Sequence, residues 1–248
     1  MGGHELSGPL PKELGLLTKL EEVSLTSNHI DGPIPDSISQ LENLRSLTLS
    51  YNWMTGPIFD KFECLPNLES LQVENNKFVG ALPKSLGSIA KSQIKVISIS
   101  NIDLTDDGQQ PNPPVVIPNT WYKGLPKLQS LNLGTIGLSG KLKDMKKWQN
   151  LEDLDLRQND LTGTVPGSLG TKWMPGLNYF YIFGNDLTGT MGKYLCPGSG
   201  VNIVFDNSVS VNEACPSVSS PVTTPTVSPV TSPPVAIVGT CGWGTVGN

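Results

Sequence analysis

The chain has 248 residues, 37% hydrophobic and only 16% charged, with 26 Gly and 21 Pro. That much Gly and Pro favours many turns and short elements over long helices. The net charge of −5 leaves no basic surface of the size nucleic acid needs, and no run of about 18 apolar residues is present to span a bilayer. The chain enters patterned sequence without the charged start and apolar stretch of a signal peptide, which reads as a mature chain or a fragment.

In chain order the pattern repeats. A truncated copy runs His4, Leu6, Gly8, Leu10, Pro11. The next is Leu20, Val23, Leu25, Asn28, followed by Gly32-Pro33-Ile34-Pro35. Then come Leu44, Leu47, Leu49, Asn52 with Gly56, and Leu68, Leu71, Val73, Asn76 with Gly80. Two weaker copies carry Ile94, Ile97, Ile99, Ile102 and Leu128, Leu131, Leu133, Ile136. The last clear ones are Leu151, Leu154, Leu156, Asn159 with Gly163, and Leu177, Phe180, Ile182, Asn185 with Gly189. The Asn-equivalent positions fall at 4, 28, 52, 76, 102, 136, 159 and 185, a spacing of 23 to 26 residues except for one gap of 34.

Each feature has a physical reason. Apolar residues two apart point to one side of a short strand. Strands of successive turns then stack about 4.8 Å apart. An Asn closing the strand points inward, where its amide must find backbone partners, so stacked Asn side chains form a ladder. Gly permits positive φ, and Pro fixes an extended segment beyond it. One turn cannot bury its own apolar face, so the turns are stable only as a stack.

The repeat resembles the plant-type leucine-rich repeat, L-x-x-L-x-L-x-x-N-x-L-x-G-x-I-P over about 24 residues, across roughly residues 4–190. The resemblance implies an α/β repeat fold: a right-handed solenoid with a parallel β-sheet on its concave face, and a second short strand at G-x-I-P. It also implies a binding protein, since members are mostly receptor ectodomains, enzyme inhibitors and secreted adhesion proteins. The expected domains are leucine-rich repeats over 1–195, a cap at 196–215, a stalk at 216–240 and an unassigned end at 241–248. The first copy lacks the Cys-containing cap usual in such proteins. Missing upstream sequence is the favoured explanation, with coverage by another chain the alternative.

Two departures stand out. Ile102 and Ile136 replace the ladder Asn in consecutive turns, and between them lies an insertion holding Asp106, Asp107 and Pro111. Such insertions map to loops on one face, either tolerated or used for recognition. Two aspartates fall short of a calcium-loop pattern.

There are four cysteines, Cys64, Cys196, Cys215 and Cys241, which allow three pairings. Cys196 and Cys215 bracket a degenerate turn at 201–207 and resemble the disulfide-closed C-terminal cap of secreted members, which implies that they pair. Cys64 is expected to be a buried thiol. No Cys-x-x-Cys pair is present, so zinc is not expected. No other metal and no cofactor is expected either. After residue 215 the charge vanishes, and Pro recurs at 221, 225, 229 and 233, each preceded by Ser or Thr. This tract reads as an extended stalk suited to O-glycosylation at Ser220, Thr224, Ser228 and Ser232, or as a bare linker.

Little here suggests catalysis. His4 and His29 are the only histidines. Asp153 and Asp155 share a strand face and could form an acid pair, but a solvated face is the simpler expectation. By strand register one outward row is Glu22, Ser46, Ser70, Val96, Ser130, Asp153 and Tyr179. The next is Ser24, Thr48, Gln72, Ser98, Asn132, Asp155 and Tyr181. A third, after the strand, is Thr26, Ser50, Glu74, Ser100, Gly134, Arg157 and Phe183. Aromatics and Arg on an otherwise polar face favour contact with a partner. The expected contact residues are Tyr179, Tyr181, Phe183, Arg157, Asp155 and Asp153, with Tyr51 a weaker candidate.

The sequence therefore reads as a non-enzymatic, secreted or cell-surface recognition and adhesion module. Its expected partner is a protein or polysaccharide bound on the concave face, with no nucleic acid and no membrane span. The alternative is a structural subunit of a glycosylated matrix or filament that self-associates head to tail.

Overall fold

The computed structural model describes residues 5–89, 91–105, 114–167, 169, 170, 172, 174–190, 195, 201–206, 209 and 210. All lie within the unit Met1–Ser217. Several expectations fall outside the described residues: His4, the insertion with Asp106 and Asp107, the Cys196–Cys215 bridge, Cys241, the stalk, and O-glycosylation at Ser220, Thr224, Ser228 and Ser232.

The inward Leu-type residues build one eight-stranded parallel sheet. Its strands follow chain order from edge to edge: Glu22–Ser24, Ser46–Thr48, Ser70–Gln72, Val96–Ser98, Ser130–Asn132, Asp153–Asp155, Tyr179–Tyr181 and Asn202–Val204. The central residues Leu47, Leu71, Ile97, Leu131, Leu154 and Phe180 are in register and fully buried. The second Leu-type position also stacks. Leu25 donates its amide to the Thr48 carbonyl, Leu49 to Gln72 and Leu156 to Tyr181. The solenoid that the repeat implies is present, and segment 201–206, expected to belong to the cap, supplies one more strand.

The Asn ladder forms where Asn is present. Asn52 donates its Nδ2 to the carbonyls of Leu25, Leu49 and Ser50, and its Oδ1 accepts from the Ile30 amide at 3.0 Å. Asn76 repeats this one turn on, with Met54 as its amide donor. Asn159 is the best connected. It reaches the carbonyls of Leu133, Leu156 and Arg157 and accepts from both Ile136 and Leu138. At Ile102 and Ile136 the buried side chains are apolar and replace the ladder by packing.

The residue before the ladder position is left-handed in turn after turn: Ser27, Tyr51, Asn75, Asn101, Thr135, Gln158 and Gly184. That twist tips the chain inward just before it. Ser50 and Ser100, expected on the open face, are buried, at 2% and 4% exposure.

The second strand forms, but ahead of its expected place. Trp53–Pro57 and Asp160–Thr164 span the L-x-G part of the repeat and stop before I-P. Pro35 instead leads, in extended conformation, into the 3-10 turn Asp36–Gln40, where the fixed φ of proline starts a helical turn without a needed N–H. These second strands make two four-stranded sheets, interrupted between Lys77–Val79 and Ser139–Lys141. Around that gap Gly80 donates to the Leu104 carbonyl, and Val115 bridges Leu138.

Short 3-10 turns and the one helix among the described residues, Asn119–Gly124, close the third side. Trp121 and Trp148 fill it and are fully buried. Two glycines make its close packing achievable. A Cβ on Gly124 would sit 1.9 Å from the Gly87 carbonyl oxygen, inside any real contact. On this side Cys64 departs from expectation: it is exposed, with no disulfide partner among the described residues. Phe62 and Leu65 take the two inward positions of that turn, and the residues between them face solvent.

Candidate binding face

The open face of the eight-stranded sheet shows the register rows as the strand period dictates. Ser70, Val96, Ser130, Asp153 and Tyr179 pair across neighbouring strands, as do Gln72, Ser98, Asn132, Asp155 and Tyr181. Over the first strands the face carries small hydroxyls, Ser46 and Thr48 lying 3.4 Å apart. Its character changes at Asp153–Asp155.

Arg157 organises this end. Its Nε lies 3.1 Å from the Asp155 carboxylate, and its amide donates to the other oxygen of that carboxylate, also at 3.1 Å. The guanidinium sits over the Tyr181 ring, 5.8 Å from the centroid. A planar cation can serve a carboxylate in its plane and a ring against its face together. Tyr181 and Tyr179 have centroids 6.2 Å apart, with planes inclined by only 20°. Tyr179 is 45% exposed although both flanking strands are present, so no described residue covers it.

The electrostatics follow from this packing. Burial pushes the Asp155 carboxyl above its usual range, against the opposing pull of the Arg157 amide and guanidinium. Burial and the neighbouring Glu152 charge push Asp153 up as well. Burial also raises the Tyr181 hydroxyl, with further contributions from Tyr179 and Asp155. Arg157 holds Asp155 while Glu152 crowds Asp153, so the two aspartates stand in different environments.

The structure therefore brings Tyr179, Tyr181, Arg157, Asp155 and Asp153 together. Phe183, half-buried, takes the place beside Arg157 one strand on, next to where Gln158 donates to the Phe183 carbonyl. Tyr51 is exposed but stands apart: three strands lie between its turn and Asp153–Asp155, about 19 Å at 4.8 Å per step.

One cluster escaped the sequence reading. On the neighbouring four-stranded sheet, His29 packs against Trp53 at 4.5 Å, and Lys77 lies over the same ring at 5.8 Å. Each follows the ladder Asn of its turn. Applying the register to second strands as well as first would have aligned them. Among the described residues no group of three or more His, Cys, Asp or Glu is placed to hold a metal ion. Among them, too, no helix is long and apolar enough to cross a membrane.

Comparison with known proteins gives the same architecture. Residues 18–78 match a leucine-rich repeat family model, and residues 150–171 match a second one. No curated protein matches the chain. Among solved structures it is 28% identical to a TDR receptor, covering 85% of this chain and 33% of that one, with a TM-score of 0.72. It is 27% identical to the ectodomain of the Arabidopsis receptor kinase HAESA, solved with an IDA peptide hormone ligand, covering 84% of this chain and 37% of that one at a TM-score of 0.72. The PEPR1–AtPEP1 structure is 26% identical, covering 83% and 28%, with the same TM-score of 0.72. The chain thus spans about a third of the length of these ectodomains. Its stacked parallel strands, its Asn ladder and these likenesses make it a leucine-rich-repeat protein of the plant type.

Proposed function

We propose that the chain is an extracellular, non-enzymatic recognition module that holds a protein or carbohydrate partner on the open face of its long sheet. Contact centres on Tyr179, Tyr181, Arg157, Asp155 and Asp153. The observation that carries this reading is the pair of near-parallel tyrosines, one of them 45% exposed, on a face whose first strands carry mostly small polar side chains. Rigid aromatics next to an oriented Arg are the side chains that dominate recognition surfaces. The HAESA ectodomain, of similar architecture, is solved with a peptide hormone, which supports an extended peptide as a partner.

The test is a display library of random dodecapeptides panned on the full chain, run beside a glycan array. Selected ligands should lose binding to Tyr179→Ala with Tyr181→Ala, and to Arg157→Ala, while Thr48→Ala retains it. Ligands that bind all the variants equally would overturn the assignment of this face.

A further inference from the structure

A groove of about 420 Å³ lies away from the tyrosine cluster, bordered by helix Asn119–Gly124 and strand Ser139–Lys141. Lys84, Lys141 and Lys143 line it, with an apolar floor that includes Val116, Leu142 and Leu161. Among the described residues no Asp or Glu lines it, although the chain as a whole has 22 acidic against 17 basic residues. Val116 is 45% exposed there, an apolar side chain left facing water.

The frame is preformed. The Thr120 hydroxyl donates to the Lys84 carbonyl at 2.7 Å, and Lys143 reaches the Asn119 side-chain oxygen at 2.5 Å. Tyr122 stacks on Trp148 at 5.2 Å with an interplanar angle of 9°. None of the three lysines makes an ion pair with a described residue. Three positive charges surround an apolar floor, and one of them, Lys143, is already held by Asn119, so the site is partly ordered before binding.

We propose that this groove docks an acidic, extended peptide segment of a partner protein, its carboxylates on the lysines and an apolar side chain on the Val116 floor. The charge is opposite in sign to that of the whole chain, so the groove selects acidic partners that the rest of the surface repels. A purely anionic ligand would satisfy the lysines but leave the floor wet, which is the reason for a peptide. The site shares no residue with the tyrosine cluster and stands or falls separately from it.

The test is fluorescence anisotropy on the full chain. The probes are a labelled peptide of alternating glutamate and leucine and a matched peptide of alternating lysine and leucine. The acidic peptide should bind and the basic one should not. Lys141→Gln with Lys143→Gln should weaken binding roughly tenfold, and added salt should weaken it further. Val116→Ser should also weaken it. Lys12→Gln with Lys19→Gln, and Tyr179→Ala with Tyr181→Ala, should leave it unchanged, all with melting curves like the parent. Four outcomes would overturn the proposal. One is equal binding of the two peptides. The second is an equal loss in the Lys12/Lys19 variant. The third is insensitivity to Val116→Ser together with displacement by polygalacturonate, which marks a generic polyanion site. The fourth is binding that appears only after Asp106→Asn with Asp107→Asn, which makes those aspartates the occupant.

Discussion

The indole nitrogen of Trp148 donates to the backbone carbonyl of Trp121 at 3.0 Å, and the indole of Trp121 donates in turn to the Pro83 carbonyl at 2.8 Å. Two fully buried rings thus fasten three successive turns along the side opposite the long sheet. Trp148→Phe keeps most of the packing but removes the donor, and should lower stability by about 1–2 kcal/mol. Trp148→Ala also opens a cavity and should cost about 3–5 kcal/mol. Urea unfolding followed by far-UV circular dichroism checks both values and their order.

Asn159 holds the amides of both Ile136 and Leu138, whereas Asn28 holds the Leu6 amide. Asn159→Ala leaves two buried donors without an acceptor and should destabilise by roughly 2–4 kcal/mol. Asn28→Ala, at one end of the stack, should cost about 1 kcal/mol. Equal effects in denaturant titrations would mean that the ladder contributes little beyond shape.

Gly124 packs on the Gly87 carbonyl with no room for a Cβ, while a Cβ on Gly167 meets nothing within 4 Å. Gly124→Ala should therefore destabilise by about 1–3 kcal/mol through forced separation of two turns. Gly167→Ala should change stability by no more than about 0.5 kcal/mol. Thermal melts of the two variants side by side decide it.

Burial and Glu152 raise the Asp153 carboxyl above its usual range. The folded chain then binds this proton more tightly than the unfolded chain. Stability associated with the group falls as pH rises from the ordinary carboxylate value through the raised one, and recovers on acidification. Asp153→Asn removes the penalty, so it should raise Tm by about 1–2 °C at pH 7 and by nothing near pH 3, below both values. A gain that persists at the acid end would show that the carboxylate charge is not its cause.

The rows on the open face could be read from the chain because strand side chains alternate, and Leu47 and Leu49 fix which way they alternate. The ladder was legible because an Asn at that place has one good use. The outer side was harder. Its turns are short and of different lengths, so spacing alone could not tell that Phe62 and Leu65 point inward and Cys64 does not. Nor could it show that Arg157 engages Asp155 and Tyr181 together, since that depends on side-chain angles across two strands. Tyr51 was drawn in by residue type alone, without regard to distance along the stack.

The Asn ladder runs through Asn28, Asn52 and Asn76 and resumes at Asn159 and Asn185, with Ile102 and Ile136 between, and the flanking sheet breaks at the same turns. The array is therefore two laced blocks spliced through a greasy middle, joined there by the long sheet, by side-chain packing and by the indole hydrogen bonds of Trp121 and Trp148. Load passing along the stack crosses the middle through two indole nitrogens and the long sheet in place of side-chain carboxamides.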